Sequence, residues 1–347
     1  MSSMPSTSGQ PLSTPQRSES LVMGNQSFVS VLLRSTVGEL YKIHRRLMPK
    51  ILLPIAVFIV LIAFSFITLD TLLVGSSQTC QPANNGQTQN CRSLSSTERT
   101  DLTTTISMPL RLPSSLTTTV SIIDLVGLVL LLILTGVITG GEYGAGTIRV
   151  LLTRGPTRTQ YLLAKCLAIL ACIAVTMVFL IPLGITLGAL YNLSTGINAN
   201  FSFFTGDWVL HAVAYTLLEA LKLFTYTMIA LSLATLGRAT AAGIAGGIVW
   251  WFLEGLLGGI LTAVGVLISG ATGDFLKAIP DYFLSNNFDA LLTEQSHYLT
   301  ASVRNAARSA ATTSTIPDWR AWLVIVVYLA VFIGTTWWVL EKRDVTN

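Results

Sequence analysis

Six long apolar runs alternate with polar stretches along the chain: Ile51 to Leu69, Val120 to Thr139, Tyr161 to Leu190, Trp208 to Leu236, Ala241 to Ile268 and Ala321 to Leu340. Each is close to or above the about 20 residues that a helix needs to cross the hydrocarbon core of a bilayer. Backbone donors and acceptors inside a bilayer must be satisfied within the protein, and none of these runs alternates polar with apolar residues as a barrel strand does, so each predicts a helix. The expected fold is an all-α membrane protein, a six-transmembrane-helix bundle. Upstream, Phe28, Val31, Leu32, Leu40, Ile43 and Leu47 recur among Arg34, Glu39, Lys42, Arg45 and Arg46. That pattern predicts an amphipathic helix at a membrane surface, which Pro49 and Pro54 are expected to turn into the bilayer. Residues 1–26 are rich in Ser, Pro and Gln and predict a disordered tail without a cleavable signal. The chain thus divides into a tail (1–26), an amphipathic helix (27–50) and a membrane domain (51–347) with longer outward connections at 70–119 and 269–319.

Composition agrees, with 51% hydrophobic and 11% charged residues against roughly 25% charged in a soluble domain. Cations fix the orientation, because Lys and Arg are retained on the cytoplasmic side. Arg34, Lys42, Arg45, Arg46 and Lys50 precede the first span; Arg149, Arg154, Arg158 and Lys165 follow the second; Arg238 follows the fourth; Lys342 and Arg343 follow the sixth. Both termini are therefore expected in the cytoplasm, in a multi-pass protein of the plasma (cytoplasmic) membrane. Cys80 and Cys91 fall in the first outward connection, where an oxidising environment favours a disulfide, worth about 2–4 kcal/mol. Cys166 and Cys172, in the third run, lack a metal-ligand spacing and are expected to pack as small apolar groups.

Charges inside the apolar runs are the next signal, since each costs about 2.5–3.5 kcal/mol at a helix centre. His211, Tyr215, Glu219, Lys222 and Tyr226 share one face of the fourth run. Glu219 and Lys222, three apart, are placed to form an ion pair; the stripe is either scaffold or a translocation route. Glu254 shares a face of the fifth run with Gly243, Gly247, Gly258 and Gly265, so it is expected to face protein, and Gly243/Gly247 and Gly255/Gly259 have the spacing of close helix contacts. Asp124, early in the second run, is expected near the outer interface without a special role. Catalytic signatures are missing: His44, His211 and His297 are too scattered for a zinc site, and there is neither a nucleophile elbow nor a Walker loop. No metal or cofactor is expected on this chain, it is not expected to be an enzyme, and no nucleic-acid partner is expected.

Between the second and third runs lies Glu142-Tyr143-Gly144-Ala145-Gly146-Thr147, followed by Arg149, Leu151, Leu152, Arg154, Pro156, Arg158 and Lys165. Gly144 and Gly146 permit a tight turn, and Thr157 is placed to cap the next helix. An acidic residue, Gly-Thr, a Leu pair and then Arg and Lys entering a helix resemble the segment by which ABC-2 type permeases meet an ATPase. The likeness runs along nearly the whole chain, from the amphipathic helix to the ending Leu340-Glu341-Lys342-Arg343-Asp344-Val345. It implies an export permease that works with an ABC ATPase subunit, which carries ATP and magnesium, and with a second permease copy or paralogue, among membrane lipids. It further implies that Glu142, Tyr143, Gly146, Thr147, Arg149, Arg158 and Lys165 form the coupling element. The first outward connection is longer than in the simplest members, which leaves the substrate open. Two other classes stay open: an ion-coupled secondary transporter centred on Glu219, Lys222 and Glu254, and a non-transporting membrane sensor or anchor.

Overall fold

A computed structural model of the chain describes residues 27–74, 78–80, 91–93, 95–148, 156–194, 203–268, 270–304 and 316–342. The tail at 1–26, Arg149, Arg154 and Arg343 lie outside the described residues. Among the described residues, six helices are long and apolar enough to cross a membrane: α2 (Leu47–Val74), α4–α5 (Ser114–Ile122 and Leu128–Gly144), α6 (Arg158–Ser194), α7 (Gly206–Gly237), α8 (Thr240–Leu267) and α11 (Asp318–Lys342). These are spans 1 to 6, and each lies within a few residues of the apolar run that predicted it. The remaining helices are α1 (Phe28–Arg45), α3 (Ser96–Ser107), α9 (Ala271–Ala278) and α10 (Leu284–Arg304).

Local chemistry sets the helix ends. Ser27 caps α1, its hydroxyl accepting the Ser30 N–H at 3.3 Å, which satisfies one of the orphan donors of a helix start. The break after α1 falls at Arg46, whose backbone is extended; Pro49 and Pro54 lie within α2 and do not make the turn expected of them. Thr157 and Gln160 form a reciprocal cap at the start of span 3, each side chain accepting from the other's backbone N–H, at 2.9 and 3.3 Å. Thr205 caps span 4. Arg238, in left-handed backbone at φ 51°, ends span 4 and lets span 5 start at Thr240.

Span 4 is the most buried of the six and span 5 the least. Leu223, Tyr226, Met228 and Ile229 of span 4 are fully enclosed, while spans 1 and 5 present Phe58, Phe66, Phe252 and Leu257 outward, as helices bathed in lipid can. Spans 2 and 5 cross almost backbone to backbone. A Cβ on Gly140 would lie 2.4 Å from the N and Cα of Thr240, and one on Gly136 would lie 2.9 Å from the N of Ile244. Gly243 and Gly247 serve this same packing, against spans 2 and 4, whereas Gly255 and Gly259 have open space before them. The two pairs with equal sequence spacing therefore have different surroundings.

Two of the connections between spans have structure of their own. Cys80 and Cys91 sit directly opposite each other in an antiparallel hairpin, β1 (Gln78–Cys80) with β2 (Cys91–Ser93); the expected disulfide concerns side chains outside the described ones. The connection after span 5 is largely helical and folds back into the bundle. Ser285, at the start of α10, donates its N–H to Glu254, the midpoint of span 5, at 3.2 Å. From there α10 runs antiparallel to span 4, as three contacts show: Asp289 with Lys222, Gln295 with His211, and the Leu299 carbonyl with Trp208.

Candidate functional site

The end of span 2 and the start of span 3 enclose an ionic cluster. Glu142, on the last turn of α5, is 4% exposed, and Lys165, two turns into α6, is 2% exposed. They meet at 2.9 Å, and the Tyr161 hydroxyl donates to the same carboxylate at 2.6 Å. Two residues of α1 complete the group. Lys42 reaches Glu142 at 3.3 Å and Glu39 at 2.6 Å, while Lys165 reaches Glu39 at 3.2 Å. Two carboxylates and two ammonium groups thus alternate across three helices, so the charges are compensated and the polar atoms partnered. This matters because breaking a buried pair by removing one member costs about 3–5 kcal/mol. For Lys42, burial disfavours the charged form, but the hydrogen bond and charge of Glu39 and the charge of Glu142 outweigh it and hold its pKa above the ordinary lysine value.

The exposed part of the segment follows at once. The Ala145 N–H bonds the Gly141 carbonyl and the Gly146 N–H bonds that of Tyr143; Gly146 adopts φ +65°, a conformation that costs glycine little. Residues Gly144 to Thr147 are exposed, Tyr143 is half-buried, and the Thr147 hydroxyl donates to the Glu142 carbonyl at 3.3 Å. Arg158 is not part of the cluster. Its guanidinium donates to the carbonyls of Leu340 and Glu341, at the end of span 6, and one turn of α6 also presents Gln160 to the Phe28 carbonyl at 3.5 Å. Of the residues expected to act together, Glu142 and Lys165 are joined, Gly146 and Thr147 form the adjoining turn, and Arg158 serves another contact. Glu39, Lys42 and Tyr161 were missed as site residues. Glu39 and Lys42 read as the solvated face of an amphipathic helix, and no spacing along the chain links them to residues 142 and 165.

A second polar network fills the middle of the bundle. The expected pairing of Glu219 with Lys222 is replaced: Lys222 bridges Asp124 and Asp289 at 2.9 Å each. Asp124 therefore has a role that the sequence did not suggest. It lies in a five-residue π-helical segment, Ile123–Gly127, that joins α4 to α5, a local widening that frequently marks functional positions. Glu254 is fully partnered, by the Tyr226 hydroxyl at 2.9 Å and the Ser285 N–H at 3.2 Å, and so acts as a cap on α10 supplied by another helix. His211 stacks on Tyr298 at 4.0 Å between ring centres and bonds Gln295 at 2.7 Å. The residues of the predicted stripe, Tyr215, Glu219, Lys222 and Tyr226, are all buried, and His211 is half-buried. Cys166 packs its sulfur 3.6 Å from that of Met228, and Cys172 is also a free thiol, in keeping with apolar packing.

The family model of the ABC-2 family transporter proteins matches residues 39–345. No curated protein matches the chain.

Proposed function

Since the chain belongs to the ABC-2 transporter family, we propose that it is the permease subunit of an exporter driven by ATP hydrolysed on a separate ATPase chain. In this reading ATP and magnesium belong to that partner, and a second permease copy or paralogue completes the route. The protein lies in the plasma membrane with both termini in the cytoplasm, and the turn at residues 143–148 faces the ATPase. The observation that carries the reading is the buried cluster directly behind that turn. Glu142 itself is enclosed, so the partner contacts the exposed residues Gly144 to Thr147. Displacement of the turn then acts through Glu142 on Lys165, Lys42 and Glu39, which moves α1 and span 3 along with span 2. A loosely solvated pair would slip under such a load; a partnered cluster in which Glu39, Glu142 and Lys165 are buried resists, because each broken contact among these three leaves an uncompensated charge.

Two measurements on one preparation test this. Cysteines placed by Gly144→Cys and Thr147→Cys, in native membranes, should crosslink to an ATPase chain. In the complex, Glu142→Gln keeps the side chain's shape while removing its charge; ATP turnover should persist while export is lost, with normal membrane insertion. Crosslinks to lipid alone, or unchanged export by Glu142→Gln, would overturn the reading.

A further inference from the structure

The network around Lys222 is incomplete in a way that the cluster at Glu142 is not. Asp124, Glu219 and Asp289 line one cavity of about 170 Å³ together with Tyr215, Ser121 and Ser296. Lys222 compensates a single charge among these three carboxylates. Glu219, which lines this cavity, is 1% exposed, and its Oε1 atom is buried without a hydrogen-bond partner. The Oδ1 atom of Asp124 is likewise buried and unpartnered. Buried carboxylate oxygens are ordinarily satisfied, because an unmet acceptor costs about 1–3 kcal/mol and more when charged. Here the two residues that carry unmet acceptors line the same cavity, beside Tyr215. The cavity is not sealed, since the Asp289 side chain is 59% exposed.

We propose that the cavity bounded by Asp124, Tyr215, Glu219 and Asp289 binds the ammonium group of a small organic cation. Three features select this class. Excess negative charge excludes an anion. The volume exceeds the roughly 30 Å³ share of a single water and is comparable to an engineered cavity of about 150 Å³ that holds benzene, so it takes an ammonium head with a few carbons attached. A metal ion is disfavoured because, among the described residues, no group of three His, Cys, Asp or Glu side chains is placed to hold one. An ammonium group in this cavity donates to the carboxylates that line it and presents its charge to Tyr215, an attraction that strengthens when water is excluded. The site lies where span 2 widens, where span 4 carries its polar stripe and where α10 folds back, so a ligand there touches three elements. This rests on the permease reading only in taking the occupant to be the cationic end of the cargo.

The test uses the full chain in lipid nanodiscs, without an ATPase, with benzylammonium as the probe and benzyl alcohol as its neutral counterpart. Ligand-observed NMR should show saturable binding of the ammonium, at least tenfold tighter than that of the alcohol. Glu219→Gln should weaken the ammonium by tenfold or more and leave the alcohol unchanged. Because Oε1 of Glu219 has no partner to lose, the same variant should unfold at an unchanged or higher temperature, which a purely structural carboxylate would not show. Asp289→Asn should weaken the ammonium in the same direction. Equal binding of the two probes, or an unaffected Glu219→Gln, overturns the assignment; competition by sodium or calcium at matched ionic strength overturns it in favour of an inorganic ion. Absence of an ATPase partner would sink the exporter reading and leave this binding intact, and absence of binding would leave the exporter reading intact.

Discussion

A lysine that is 2% exposed persists as a cation only where carboxylates meet it, and Lys165 meets two. Replacing it by Met would leave Glu39 and Glu142 sharing Lys42 alone. Lys165→Met should therefore destabilise the protein by about 3–5 kcal/mol, read as a lowered unfolding temperature in lipid, with Lys165→Arg losing much less. Lys42 sets the response to alkali. Its folded pKa lies above the unfolded value of about 10.4, so its contribution is complete below that value and is lost as pH rises through the folded one. Protease cleavage within α1 should accordingly be flat from neutral pH to about pH 9 on account of this group and rise only in stronger alkali; Lys42→Met should abolish that alkaline rise.

Among the helices, the difference between glycines of equal spacing is the sharpest test of packing. Gly140 faces backbone atoms of Thr240 that cannot move aside, whereas Gly255 faces open space. Gly140→Ala should cost a large share of folded, monodisperse protein in size-exclusion profiles, and Gly255→Ala should leave the folded chain at its original yield. The reason is general: a Cβ within 3 Å of backbone has to separate two helices, and interiors are packed too densely to absorb that. Helix α10 makes the complementary point. Its apolar residues Leu284, Phe288 and Leu291 are buried, yet its composition is too polar to qualify as a span. It lies within the bundle because Glu254 caps its start and Lys222 holds its flank.

For the whole molecule, what the sequence showed and what it hid follow from the range of each interaction. The six spans were legible because hydrophobic length is a local property, as were the Thr157 cap and the buried face of span 4. The composition of the ion networks was not. Glu39 and Glu142 both reach Lys165 across more than a hundred or about twenty residues of chain, and nothing in residues 120–128 tells whether Asp124 meets water or Lys222. Proximity at Glu219 and Lys222 suggested a pair, and the longer-range aspartates prevailed. The return of α10 was hidden for a related reason, since its polar residues resemble those of an outward loop until their partners on spans 4 and 5 are known.

One turn at the start of span 3 has a topological consequence. Arg158 holds the carbonyls of Leu340 and Glu341, and Gln160 reaches that of Phe28, so the first and last described helices are fastened to neighbouring residues of a single helix. The fold is closed there like a ring with its clasp at residues 158–160. Parts of a clasped ring do not splay at the clasp, so α1 and the end of span 6 are held to move together with the start of span 3.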